Sequence, residues 1–305
     1  MVAAKRKGKK PSLLSHGRSP HINTKKTAAT LSAKATATII RTHHQLQKAH
    51  AQAVKAGDHA RAAEIQKKID EQGGLKTYQA ASITGQSSER GGDSSRVLVD
   101  WLQELGLPSA HRKAEGGDPE GRKCKLLEVG ALSTENACSK RRYLVVERID
   151  LNSQSPGILQ QDFMKRPLAA SDEERFDIIS LSLVLNYVPD AEGRGEMLKR
   201  TRTFLRRPED LDDGGAAADA AELPKPCLFL VLPAPCVTNS RYLDRRRLEQ
   251  IMKSLGYALL REKITAKLVY QLWKLGENQA EKGQKFSKVE VNPGVKRNNF
   301  CVLVK

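Results

Sequence analysis

At 305 residues the chain has room for one domain of ordinary size plus extensions, and 39% apolar content is low for a wholly globular chain. The net charge of +17 favours polyanionic partners. No apolar run approaches the roughly 18 residues of a membrane span. The five cysteines, Cys124, Cys138, Cys227, Cys236 and Cys301, form no CxxC pair, which argues against zinc. Their odd number and the lack of a signal peptide suit a reducing compartment.

Residues 1–36 are rich in Lys, Ser, Thr, Ala and Pro without periodicity, and read as a disordered basic arm. Residues 1–72 carry 15 Lys/Arg against 4 acids, so most of the excess charge lies at this end. Such an arm attracts polyanions through long-range field and counterion release; a solvated solubility tail is the plainer alternative. The cluster Lys5 to Lys10 resembles a nuclear-import address.

Residues 37–74 read as a helical extension. Leu46, Ala49, Ala53, Ala56, Ala60, Ala63 and Ile69 give a thin stripe, broken at Gly57-Asp58 and ended by Gly73-Gly74. So narrow a face must pack on the main domain or on a partner. His43 and His44 lack metal-ligand spacing and read as surface groups of a helix; no metal site is expected.

Residues 75–122 read as a linking region packed on the core. It holds a polar loop from Gln86 to Ser95, a short amphipathic helix from Val97 to Leu105, and a turn at Gly116-Gly117-Asp118-Pro119. Trp101 reads as a core anchor rather than a base-stacking platform.

Residues 123–305 read as the main domain. Strands are expected at 124–129, 143–147, near 158–160, at 176–184 and at 227–232, with helices over 191–206 and 240–255. Residues 209–222 read as an acidic loop, and further strands are expected near 258–264 and 299–304. The apolar run 268–275 fits strand or helix equally. Alternating strands and helices imply an α/β, Rossmann-like, mostly parallel sheet, which binds ligands outside the carboxyl ends of its strands.

The chemistry-bearing residues fall at those ends. Lys125-Leu126-Leu127-Glu128-Val129-Gly130 is a buried strand opening into a glycine turn, and Asp150 follows Gly130 by 20 residues, after the next strand. That spacing is how a βαβ unit holds a nucleoside: the glycine admits the ligand to the backbone and the acid accepts from ribose hydroxyls. Gly130 is followed by Ala131, Leu132 and Ser133, so the nicotinamide fingerprint is absent. Together with Gln161-Asp162-Phe163 and the exit of the 176–184 strand, the order suits an S-adenosylmethionine-dependent methyltransferase.

Each residue has a plainer alternative. Gly130 serves a cofactor's amino-acid end or a simple turn. Asp150 binds ribose, with Glu147 as its rival. Asp162 accepts from the cofactor's adenine amine with Phe163 beside the ring, or the two are a solvated acid and a core aromatic. Asn186 and Tyr187 meet the methyl acceptor, as an amide acceptor and a stacking ring, or they cap the next helix and fill the core. Val188 separates Tyr187 from Pro189, so this is not the Asn-Pro-Pro-Tyr motif of exocyclic-amine methylation.

Longer runs carry a resemblance. They are Gly73-Gly74-Leu75 with Tyr78-Gln79-Ala80-Ala81-Ser82, Gly85-Gln86, and Arg90-Gly91-Gly92-Asp93-Ser94-Ser95. Leu127-Glu128-Val129-Gly130, Arg148-Ile149-Asp150-Leu151-Asn152 and Gln161-Asp162-Phe163 follow. The last are Leu183-Val184-Leu185-Asn186-Tyr187-Val188-Pro189 and Arg297-Asn298-Asn299-Phe300-Cys301. From about residue 73 onward the chain resembles the fungal nucleolar 25S rRNA adenine-N1 methyltransferases. The resemblance implies S-adenosylmethionine as cofactor, with Gly130 and Asp150 as cofactor residues. It implies 25S rRNA or pre-ribosomal particles as substrate, in the nucleus and nucleolus. Animal relatives look like S-adenosylmethionine sensors, so a non-catalytic sensor is the alternative reading.

Overall fold

A computed structural model describes residues 32–85, 92–107, 123–153, 155–207, 226–276 and 284–305. The Lys5 to Lys10 cluster, most of the Gln86 to Ser95 loop, the turn at Gly116 to Pro119 and the acidic loop 209–222 lie outside the described residues.

The strands are β1 (Cys124–Val129), β2 (Leu144–Asp150), β3 (Leu159–Gln160), β4 (Ile178–Ser182), β5 (Cys227–Pro233), β6 (Tyr257–Ile264) and β7 (Leu268–Leu275). They form one sheet in the order β3-β2-β1-β4-β5-β7-β6, in which β7 alone runs against its neighbours. Successive side chains point to opposite faces. Leu127, Ile179, Leu181, Leu228 and Leu230 therefore enter one core, while Leu126, Ile178, Cys227 and Phe229 enter the other. Helices cover both faces, so β5 reads as the unbroken apolar run Cys227 to Leu232. The first core is covered by α5 (Ala191–Phe204) and α7 (Arg245–Ser254); α4 (Ser95–Glu104) covers the second with Trp101, which is buried against Phe229. This is the expected Rossmann-like sheet.

Several boundaries differ from expectation. Strand β2 continues to Asp150, so that acid is the strand's last residue rather than a loop residue beyond it. Strand β4 stops at Ser182 because Leu183 takes a left-handed backbone, φ +59°. The expected helix 240–255 begins only at Arg245, capped by Asp244, and is preceded by one turn of helix, α6 (Pro235–Thr238). The ambiguous run 268–275 is strand β7. Residues 299–304 are not a strand; they share one isolated bridge, Phe286 to Val304. This segment instead lies on α5, where Leu303 N–H donates to Ala191 O at 2.9 Å. A Cβ on Gly195 would fall 1.7 Å from Leu303 O, so only glycine admits the segment.

The extension consists of α1 (Ala33–Lys55), α2 (His59–Glu71) and α3 (Gly74–Gly85). Helix α1 thus begins inside the expected arm, and α3 begins where the extension was expected to end. Ser32 caps α1 and Asp58 caps α2 through side-chain acceptors. The buried stripe is Ala53, Ala62, Ile65 and Ile69, with Leu46 and Ala49 beside it; Ala56, Ala60 and Ala63 face solvent. Each buried Ile contributes about 1.5–3 kcal/mol, against roughly 1–2 kcal/mol per ordered residue. Two helices of 23 and 13 residues need more than that, and α1 packs on both α2 and α3.

Candidate active site

Parallel register sets Val129 beside Ile149 and beside Leu181. Gly130, Asp150 and the exit of β4 consequently share one carboxyl edge of the sheet. Gly130 N–H donates to Ile149 O at 2.8 Å. Its φ is +75°, and a Cβ there would meet Val184 Cγ2 at 2.6 Å, so glycine is required by conformation and by space. The left-handed Leu183 costs about 1–3 kcal/mol, a strain of the kind that gathers at functional sites.

Gly130 opens on a cleft of about 300 Å³ whose polar lining includes Glu128, Asp93, Ser94, Asn136 and Ser182. These groups are held. Asn136 Nδ2 donates to both Glu128 oxygens at 2.7 and 2.6 Å, and Arg148 Nε lies 4.0 Å from the same carboxylate. Burial pushes Glu128 up to about 7, with Asn136 and Arg148 restraining the rise. Asp93 accepts from Ser95 N–H at 2.8 Å and from Ala137 N–H, and Ser94 Oγ lies 2.7 Å from Ser182 Oγ.

Asp150 is held as well. Its Oδ1 accepts from Asn152 N–H at 2.8 Å; burial raises its carboxyl and that bond opposes the rise. Asn152 exchanges two bonds with buried Gln79 of α3: Gln79 Nε2 to Asn152 O and Asn152 Nδ2 to Gln79 Oε1, both 2.8 Å. Glu147, the rival acid, pairs with Arg166 at 2.5 Å and lines a different cleft. One strand further out, Asp162 caps a short turn by accepting from Met164 N–H at 2.9 Å. Phe163 is 3% exposed and packs on Phe204 with ring centroids 5.5 Å apart, so its ring belongs to the core.

The exit of β4 lies across Gly130, where Val184 approaches it. Asp190, not Asn186, caps α5, accepting from Gly193 N–H at 2.8 Å. Asn186 Oδ1 is buried and has no hydrogen-bond partner. The Tyr187 ring meets the edge of His44 at 3.9 Å and of Tyr78 at 5.5 Å; His43 stacks on Tyr78 at 4.6 Å. The histidines are therefore not surface groups. His43 is buried, and His44 Nε2 is buried without a partner. Burial, then the neighbouring His43, lowers His44 to about 4, which keeps the imidazole neutral at pH 7. Burial also raises the Tyr78 phenol, which faces Tyr187 and Asp150.

Of the six residues singled out in the sequence, Gly130 lines the cleft, Asp150 ends β2, Asp162 caps the turn after β3, Phe163 lies in the core, and Asn186 and Tyr187 follow β4. Glu128, Asp93, Ser94, Gln79, Tyr78 and His44 had no assigned role. All but His44 lie in the motif runs, which was their available signal. Among the described residues no group of three or more His, Cys, Asp or Glu is placed to hold a metal, and no helix is long and apolar enough to cross a membrane.

Residues 63–302 match the family model described as "25S rRNA (adenine(2142)-N(1))-methyltransferase, Bmt2". The chain belongs to this family. It is 36% identical over 241 residues to the Saccharomyces cerevisiae 25S rRNA (adenine(2142)-N(1))-methyltransferase, covering 79% of this chain and 63% of that protein. It is 39% identical over 233 residues to the Schizosaccharomyces pombe 25S rRNA adenine-N(1) methyltransferase, covering 75% of this chain and 78% of the relative. The chain thus spans less than two thirds of the Saccharomyces protein. Among solved structures it is similar to an O-methyltransferase family protein from Burkholderia thailandensis, at 13% identity and a TM-score of 0.42, over 82% of this chain and 75% of that one.

Proposed function

We propose that the chain transfers a methyl group from S-adenosylmethionine to N1 of an adenine in 25S rRNA. Family membership supports the reaction class. The observation that carries the acceptor assignment is the buried, unpartnered Oδ1 of Asn186 at the exit of β4. A buried acceptor without a donor costs about 1–3 kcal/mol, and an adenine amine is a donor of the right kind.

The residues present fit the cofactor. Gly130 brings backbone to the cleft, Asp150 is assigned to the ribose hydroxyls, and Asp162, in the turn after β3, is assigned to the adenine amine. Bound S-adenosylmethionine supplies a methyl group already activated on a sulfonium. Adenine N1 carries an in-plane lone pair and no proton at neutral pH, so the protein needs no general base. Its task is to align the acceptor. Asn186 Oδ1 accepts from the exocyclic amine, Tyr187 and Tyr78 wall the base, and neutral His44 offers a second acceptor. N1 lies on the Watson–Crick edge, so the base is taken unpaired or flipped. Pre-ribosomal particles in the nucleolus would present such a base, and the Lys5 to Lys10 cluster would serve import and RNA attraction.

The test is transfer of a labelled methyl from S-adenosylmethionine to large-subunit particles from cells lacking the gene. Label at N1 of one adenine is expected. Label on the exocyclic amine, or no transfer while the cofactor binds, would replace this reading, the second in favour of a sensor.

A further inference from the structure

A second cleft, of about 440 Å³, adjoins the acceptor exit. One wall is a single face of α1, Lys48, Ala51, Gln52 and Lys55, spaced as residues on one helix side are. The floor is Pro189, Asp190 and Arg194 at the start of α5; the far wall is Lys288, Asn299 and Cys301 of the C-terminal segment. The run Arg297 to Cys301, which the proposed chemistry leaves without a role, thus forms part of a groove that starts three residues after Asn186.

The floor of the groove is buried and hydrogen-bonded, and its walls are exposed. Arg194 is 6% exposed; it donates to Cys301 O at 2.8 Å and Pro189 O at 3.3 Å, and lies over Phe300 at 4.4 Å. It therefore ties the acceptor exit to the C-terminal segment. Lys48, Lys55, Lys288 and Asn299 are exposed. The nearby acids are engaged: Asp190 caps α5, and Glu192 pairs with Lys305 at 2.9 Å, which with Lys55 lowers its carboxyl. Lys288 Nζ rests 4.4 Å over the Tyr242 ring. Against Asp190, the one acid in its lining, the groove sets Lys48, Lys55, Lys288 and Arg194, which leaves a positive trough that ends at the acceptor.

We propose that this groove carries the sugar–phosphate backbone of the RNA strand that delivers the target base, with Lys48, Lys55 and Lys288 on the phosphates. The assignment rests on the RNA-methylation reading and adds the strand's path. A flipped base needs its flanking phosphates fixed, and phosphate contacts set position without reading sequence.

The test uses the full chain and a fluorescent single-stranded oligoribonucleotide containing adenine. Each phosphate contact on single strands contributes about 0.7 to the slope of log affinity against log salt. The variant Lys48→Gln/Lys55→Gln/Lys288→Gln is expected to lose about 2 from that slope and to transfer methyl more slowly at subsaturating RNA. Its cofactor affinity and melting temperature are expected to stay at wild-type values. A wild-type slope and affinity in the folded variant would overturn the groove. The two readings separate cleanly: wild-type transfer in the variant sinks the groove alone. Absence of transfer by the unsubstituted protein on gene-deleted particles, with the slope change intact, sinks the methylation reading alone.

Discussion

The two halves of the candidate site differ in how their polar atoms are spent. On the proposed cofactor side, Glu128 is bonded to Asn136, Asp93 accepts two backbone N–H groups, and Asp150 is tied through Asn152 to Gln79. At the exit of β4, the proposed acceptor side, Asn186 Oδ1 and His44 Nε2 are buried with nothing bonded to them. One half is assembled within the chain; the other is complete only when a donor enters. The two atoms are linked through Tyr187, which follows Asn186 in the chain and packs on His44, and a buried acceptor left without a donor costs about 1–3 kcal/mol.

The strongest way to break this comparison is Asn186→Ala. Loss of the positioning acceptor is expected to slow single-turnover transfer about 100-fold, with cofactor affinity within about twofold. Melting temperature is expected to hold or rise, because an unpaired buried carbonyl is removed. Slow transfer accompanied by a melting loss of several degrees would mean the amide is structural.

Asp150→Ala is the matching lesion on the other side. A hydrogen bond to a charged group is worth about 1.5–3 kcal/mol, so cofactor affinity is expected to fall roughly 10- to 100-fold in calorimetry. Gly130 is a poorer probe, since any side chain there also meets Val184.

Gln79→Ala sharpens the contrast with Asn186. It strips two bonds from Asn152, and chemical unfolding is expected to show a loss of about 1–3 kcal/mol. No loss would mean that α3 is not anchored through this pair.

The smallest effect is in pH. Glu128 titrates near 7 when folded against an ordinary 4.5, so its share of stability is present below about 4.5 and is lost as pH rises to about 7. His44, near 4 against 6.5, does the reverse: its share is present above about 6.5 and is lost as pH falls to about 4. The two slopes oppose each other in nearly one window. Glu128→Gln removes the first, so stability of the variant is expected to rise more steeply from pH 4 to 6.5 than that of the parent. Parallel curves would show that Glu128 does not titrate there.

The sheet was legible because local pattern decides it: apolar strands, a glycine turn, and an acid 20 residues on. Strand β7 was not, because it is buried on both faces and so shows no alternation. The left-handed Leu183 carries no glycine or asparagine signal. The acceptor wall was least legible. Helical periodicity gives the stripe of α1 but not what covers it, and His44 meets Tyr187 only after α1 packs on α3. Tyr78 and Gln79 lie in one of the motif runs, yet their partners are set by the fold.

The most direct test is a cycle between protein and base. The target adenine is replaced by purine, which lacks the exocyclic amine, and single-turnover methyl transfer is measured with the parent chain and with Asn186→Ala. If Asn186 Oδ1 accepts from that amine, either change alone slows transfer and the second adds little to the first. Full multiplication of the two losses would contradict the assignment and leave Asn186 outside the acceptor site.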